Sequence, residues 1–131
     1  MSNEYYESAL LRLRRITTYF SLLYEDALSN STITPVQFEV MLYIDSSSPC
    51  SITDVAQFMV VDKSTSSRVL RGIQERGLIG IDPDKEDRRR KRVFLTSVGK
   101  SLVDRHKQDW LLVEKSICAK YDTVIEYLEK T

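Results

Sequence analysis

Apolar residues recur along most of this chain at three- and four-residue steps, and in one short stretch they shorten to alternation. Leu10, Leu13, Ile16, Thr17, Phe20, Leu23, Ala27 and Leu28 trace one stripe, which predicts a long amphipathic helix over residues 4–28. Thr34-Pro35-Val36-Gln37 is a helix start, with Thr as N-cap, Pro at the first helical position and Gln closing a capping box. Phe38, Met41, Leu42 and Tyr43 carry that helix to about Asp45, and Ser46-Ser47-Ser48-Pro49 ends it. Ser51 caps a short helix from Ile52 to about Met59, with Asp54 as its box partner and Val55, Ala56 and Phe58 as packing residues. Past Ser97, Leu102, His106, Trp110, Val113 and Ile117 form another stripe. It predicts a helix to about Lys120 and, from a cap at Asp122, a short final one through Leu128.

Between these lies the stretch Asp62–Thr96. Asp62 is a good N-cap. At about 100° per residue, Val69, Leu70 and Ile73 share a face with the small Ser66 beside them. The opposite face carries Ser64, Arg68, Arg71 and Glu75, with Ser67 at its edge. Gly77 suits the left-handed position just past a helix end. Leu78–Ile81 then reads as a short strand, Pro83 interrupts it, and Asp84-Lys85-Glu86-Asp87 supplies turn chemistry. Five cations follow, Arg88 to Arg92, and Val93, Phe94 and Leu95 form the return strand. Two short helices joined by a turn, the second with a polar outward face, make a helix-turn-helix. With the basic hairpin beside it, the arrangement suits a DNA duplex: the helix fits the major groove and the hairpin reaches backbone or minor groove.

Charge refines this reading. The chain is formally neutral, with nineteen Lys/Arg against nineteen Asp/Glu. Residues 62–92 nevertheless hold ten Lys/Arg against six Asp/Glu, and phosphate senses only local charge, screened within about 10 Å. A length of 131 residues predicts a single domain, 1–131. Within it, 34–96 forms the winged helix-turn-helix lobe, and 4–30 with 97–131 form dimerisation helices. The apolar stripes at both ends suggest a two-fold interface, in which Tyr5 and Tyr6 meet Tyr121 and Tyr127. No apolar run approaches the about twenty residues a membrane span needs, and the N-terminus lacks a signal-peptide layout, so a cytoplasmic protein is expected. One histidine, His106, makes neither a metal site nor a nucleophile–base pair. With four glycines and no Gly-rich phosphate loop, no cofactor and no enzymatic activity are expected.

Asp87, Arg89, Leu95, Thr96 and Gly99 stand as D-x-R-x5-L-T-x2-G, which resembles the wing signature of the MarR family of bacterial and archaeal transcription regulators. Thr65-Ser66-Ser67-Arg68 and Arg76-Gly77-Leu78-Ile79 are similar to that family's recognition helix and exit turn. The likeness covers nearly the whole chain. Ser66 and Gly72 depart from it, standing where members more often carry an aliphatic and a longer residue, which implies a looser helix. The resemblance implies a mainly α fold with a small β-hairpin wing, and a homodimer whose first helix interlocks with the partner's C-terminal helices. It implies a repressor of double-stranded DNA that reads an inverted repeat. On the recognition helix Lys63, Ser64, Thr65, Ser67, Arg68 and Arg71 become the contacts, and on the wing Arg88, Arg89, Arg90 and Lys91. Asp87 is read as shaping the wing.

Family members often bind small aromatic acids or other lipophilic effectors and release DNA. Tyr19, Phe20, Tyr43, His106 and Trp110 are the residues expected to line such a pocket, although each also suits a core. Two alternatives stand beside the repressor reading. One is a winged helix used for protein–protein interaction. The other is a thiol-based redox sensor acting through Cys50 or Cys118, although the first helix lacks the reactive cysteine of the family's peroxide-sensing branch.

Overall fold

The computed structural model describes residues 8–29 and 31–130, so Tyr5 and Tyr6 lie outside the described residues. Among these, five helices and three strands follow in the order α1 (Ala9–Ala27), α2 (Pro35–Ser47), β1 (Cys50–Ser51), α3 (Ile52–Met59), α4 (Lys63–Gln74), β2 (Ile79–Pro83), β3 (Lys91–Leu95) and α5 (Ser97–Glu129). They divide into two compact units. The winged unit is Val36–Lys107, and the terminal unit joins the described parts of Met1–Pro35 and Gln108–Thr131. No helix among the described residues is long and apolar enough to cross a membrane.

In the winged unit, Phe38, Met41 and Ile44 of α2 are fully buried, as are Val55 of α3, Leu70 and Ile73 of α4, Val93 of β3 and Val103 of α5. Local chemistry sets the helix ends. Ser51 Oγ accepts from the Asp54 N–H at 3.0 Å while Asp54 Oδ2 accepts from the Ser51 N–H at 2.9 Å, a complete capping box. Helix α4 ends in a Schellman motif: Leu78 N–H donates to Ile73 O, Gly77 N–H donates to Gln74 O, and Gly77 takes a φ of 74°. Ser66 is fully buried, and its hydroxyl donates to Ile52 O at 3.2 Å. It thus ties α4 to α3 where an aliphatic side chain would only have packed.

The sheet has three antiparallel strands in the order β1-β3-β2, so the expected hairpin gains a third strand. Cys50 pairs with Val93 and Ser51 with Arg92; two residues are too few to show alternation in sequence. β2 extends through Pro83, opposite Lys91, further than the expected end at Ile81. Proline is tolerated there because β2 is an edge strand. Gly80 faces Phe94, whose ring lies where a Cβ at position 80 would fall, 2.4 Å from Cζ.

The wing joins α5 through Thr96, whose Oγ1 donates to Gly77 O at 2.6 Å and accepts from the Gly99 N–H at 3.1 Å. The Thr96 N–H donates to Leu78 O at 3.0 Å. A Cβ at Gly99 would stand 2.0 Å from that same carbonyl oxygen. The L-T-x2-G part of the signature is therefore a joint between backbone segments too close for a side chain. Lys100 Nζ adds contacts to the Asp45 carboxylate at 2.9 and 3.0 Å.

In the terminal unit, α1 spans Ala9–Ala27 with Ser8 as its N-cap, accepting from the Leu11 N–H at 3.2 Å, and residues 4–7 of the expected helix lie outside the described residues. Helix α5 runs unbroken through Lys120 and Asp122, so the expected separate final helix is absent. No glycine or proline follows Gly99, and Asp122 alone does not stop a helix. Phe20 packs on Tyr121 with ring centroids 5.2 Å apart, and Tyr24 on Trp110 at 4.3 Å. A groove of about 920 Å³ between α1 and the end of α5 is lined by Leu13, Ile16, Tyr19, Phe20, Val124 and Leu128, among others, and by Arg12 and Arg15.

Candidate nucleic-acid interface

Helix α4 has a large difference between its faces. Leu70, Ile73 and Ser66 are buried, while Lys63, Ser64, Arg68 and Arg71 are exposed and Thr65 and Ser67 half-buried. The exposed start of the helix is ordered by Asp62. Its Oδ1 accepts from the Thr65 N–H at 2.7 Å and from the Ser64 hydroxyl at 3.0 Å. These bonds, chiefly the one from the Thr65 backbone, hold the Asp62 carboxyl below the usual aspartate range. One turn further, Arg68 Nη2 lies 3.5 Å from Thr65 Oγ1. That contact leaves the guanidinium fork largely unspent and able to bind a base edge or a phosphate bidentately.

Two aspartates fold the wing tip. Asp84 Oδ1 accepts from the Glu86 N–H at 2.9 Å and Asp87 Oδ1 from the Arg89 N–H at 3.0 Å. Each is a side chain imitating a backbone turn. The same Asp87 Oδ1 lies 3.5 Å from Arg89 Nε, but the Arg89 side chain is 94% exposed, so this pair contributes little stability. Arg88, Arg89 and Arg90 project from the tip and Lys91 opens β3, all exposed, whereas Arg92 is half-buried.

A cleft of about 220 Å³ brings helix and wing together. Lys63 and Ser67 of α4 and Thr53 of α3 line one part of it, and Arg89, Arg90 and Lys91 line another. Its described lining holds four cations and no carboxylate. An adjacent cleft of about 160 Å³ shares Arg90 and Lys91 and adds Arg92, but it includes Asp54 and Asp84, which offset most of its positive charge. The first is the one suited to phosphate oxygens. Arg68, Arg71 and Arg88 are not part of its lining. The α3 contribution was missed in the sequence, where Ser51–Asp54 reads only as a cap.

Of the five residues expected at an effector pocket, Tyr19 and Phe20 meet each other, while Trp110, Tyr43 and His106 each meet a ring outside the set. In the terminal unit Tyr19 and Phe20 are 6.0 Å apart and line the apolar groove, while Trp110 packs on Tyr24. In the winged unit Tyr43 stacks on Phe58 at 4.4 Å, and His106 meets Phe38 edge-on at 6.5 Å. Cys50 is buried, and burial followed by the charge of Asp54 pushes its thiol up. Partial burial, then Glu114 and Asp122, push the Cys118 thiol up as well. Reactive cysteines show the opposite shift. No group of three potential metal ligands occurs among the described residues.

Residues 33–91 match the MarR family. An uncharacterised HTH-type transcriptional regulator of Bacillus cereus is 28% identical over 120 residues, covering 92% of this chain and 78% of that protein. The winged helix-turn-helix lobe of this chain is that of the MarR family. That family is one of winged helix-turn-helix transcription regulators and not of enzymes. The fold of this chain is also that of Bordetella bronchiseptica BpsR, with a TM-score of 0.82 and 24% identity over 99% of this chain and 96% of the other. MepR of S. aureus, solved with DNA, gives a TM-score of 0.81 at 21% identity, covering 95% of this chain and 96% of MepR.

Proposed function

We propose that this MarR-family regulator is a cytoplasmic homodimeric repressor that reads an inverted repeat and releases it on binding a small aromatic or lipophilic effector. The observation that carries the DNA-reading part is the cleft in which Lys63 and Ser67 of α4 face Arg89, Arg90 and Lys91 of the wing. In this reading the first turns of α4 enter the major groove. Arg68 and Arg71 donate to guanine O6/N7 or to phosphate, and Lys63, Ser64, Thr65 and Ser67 make the shorter contacts. Arg89 reaches the minor groove, Arg88, Arg90 and Lys91 bind phosphates, and Asp87 holds the tip in shape. The relatives support the reading: CouR is a transcriptional repressor bound to a 23-mer duplex, and BpsR has its DNA binding regulated by 6-hydroxynicotinic acid.

The uncovered apolar groove of the terminal unit supports the dimer, because a second copy would bury it twice over through one two-fold contact. The raised thiols of Cys50 and Cys118 do not favour a redox sensor. Selection of bound duplexes from a random library tests the reading. It should return an inverted repeat with half-site centres about 34 Å apart, weakened by an aromatic acid from a screened panel. A folded protein that enriches no sequence would refute it.

A further inference from the structure

A serine hydroxyl normally donates or accepts as its surroundings require. Ser64 does not have that freedom here. Its single proton is directed to Asp62 Oδ1 at 3.0 Å, on an oxygen already fixed by the 2.7 Å bond from the Thr65 N–H that starts α4. A carboxylate only accepts, so the proton cannot be returned toward solvent while this bond stands. The lone pairs of Ser64 Oγ are then what the exposed face of α4 offers. One helical turn on, Arg68 has the opposite character and can only donate.

We propose that Asp62 is a positioning residue that makes Ser64 a hydrogen-bond acceptor toward DNA, so that Ser64 selects an exocyclic amine, cytosine N4 or adenine N6. The inference rests on the reading that α4 enters the major groove. In that groove the amines of cytosine and adenine are the donors, while guanine O6 and N7, adenine N7 and thymine O4 accept. An acceptor-only Ser64 beside a donor-only Arg68 discriminates amino from keto bases at neighbouring positions. The recognition helix thereby reads two hydrogen-bond polarities with short and long side chains on one face.

The test is selection from a random duplex library with the wild type, Ser64→Ala and Asp62→Ser. The wild-type operator is then remade with one amine deleted, purine for adenine or 2-pyrimidinone for cytosine. The wild type should enrich adenine or cytosine at one position per half-site where Ser64→Ala is indifferent. Deleting that amine should weaken wild-type binding about fivefold, the worth of one neutral hydrogen bond, and leave Ser64→Ala unchanged. Asp62→Ser keeps an N-cap oxygen, but its hydroxyl can donate to Ser64 and free the Ser64 proton; guanine or thymine should then be accepted at that position.

An unchanged Ser64→Ala profile, a lost preference that was for guanine or thymine, or an Asp62→Ser protein that keeps the amine preference would each overturn the inference. The amine-deletion measurement stands even if Asp62→Ser fails to fold. A wild-type protein that enriches an operator with Ser64→Ala matching it sinks this inference alone. A wild-type protein that enriches nothing sinks the reading of α4 as well.

Discussion

Phe38, Met41, Ile44, Leu70 and Ile73 of the winged unit are fully buried, whereas Leu13, Ile16 and Tyr19 of α1 are 50–62% exposed. Both units carry apolar stripes at helical spacing, but where the winged unit buries its own, the terminal unit buries Leu28, Trp110 and Ile117 and leaves much of α1 open. The winged unit is fastened by short polar bonds at its joints: the Ser51–Asp54 box, the Ser66 hydroxyl on Ile52 O, and Thr96 between Gly77 and Gly99. The terminal unit is joined by ring contacts and a hydrogen bond from the Tyr24 hydroxyl to Glu114, and it leaves an apolar groove. The stability of the first should therefore depend on close approach, and that of the second on association.

The largest effect should come from the tightest joint. Gly99→Ala places a methyl on the Leu78 carbonyl, which the Thr96 N–H already holds. It should cost about 3 kcal/mol in urea denaturation, and an unchanged midpoint would show that the joint can relax. Val124→Asp puts a charge in the terminal groove, and sedimentation should show self-association weakened by about 2 kcal/mol. A dimer of undiminished affinity would place the interface elsewhere. Arg68→Ala should lose about 1–3 kcal/mol on a selected operator and nothing on random duplex, while Arg89→Ala should lower the salt slope by about one. Equal losses on both duplexes would remove Arg68 from base reading. The smallest effect is a gain. Val60, between α3 and α4, is 89% exposed and held at a φ of 58°, a strained state for a β-branched residue. Val60→Gly should stabilise by about 0.5–1 kcal/mol in the same denaturation series.

The difference between the units also governed what the sequence made legible. The winged unit could be read because its boundaries are local chemistry: Ser51 with Asp54, Asp62 with Thr65, and Gly77 at positive φ all act within a few residues. β1 escaped because its partner, Val93, is distant in sequence and the strand itself is two residues long. The continuity of α5 escaped because Asp122 has the same capping chemistry as Asp62, and only tertiary context separates a cap from a helix interior. For the site, residue types and helical faces were visible. The cleft that groups Lys63 and Ser67 with Arg89–Lys91 was not, since a wing's fold-back is not encoded in spacing. The direction of the Ser64 proton was equally hidden, because it depends on which rotamer Asp62 selects.

The cation-lined cleft belongs to a chain whose formal charge sums to zero, and that pairing has a kinetic consequence. A duplex feels the four cations only within about one screening length, about 10 Å, while the rest of the surface returns an equal and opposite charge. Long-range capture by arbitrary DNA is correspondingly weak. In the proposed DNA-reading role, time lost on the wrong stretch of a genome shrinks with it, and the search for an operator proceeds by brief, repeated encounters rather than by long residence on the polymer.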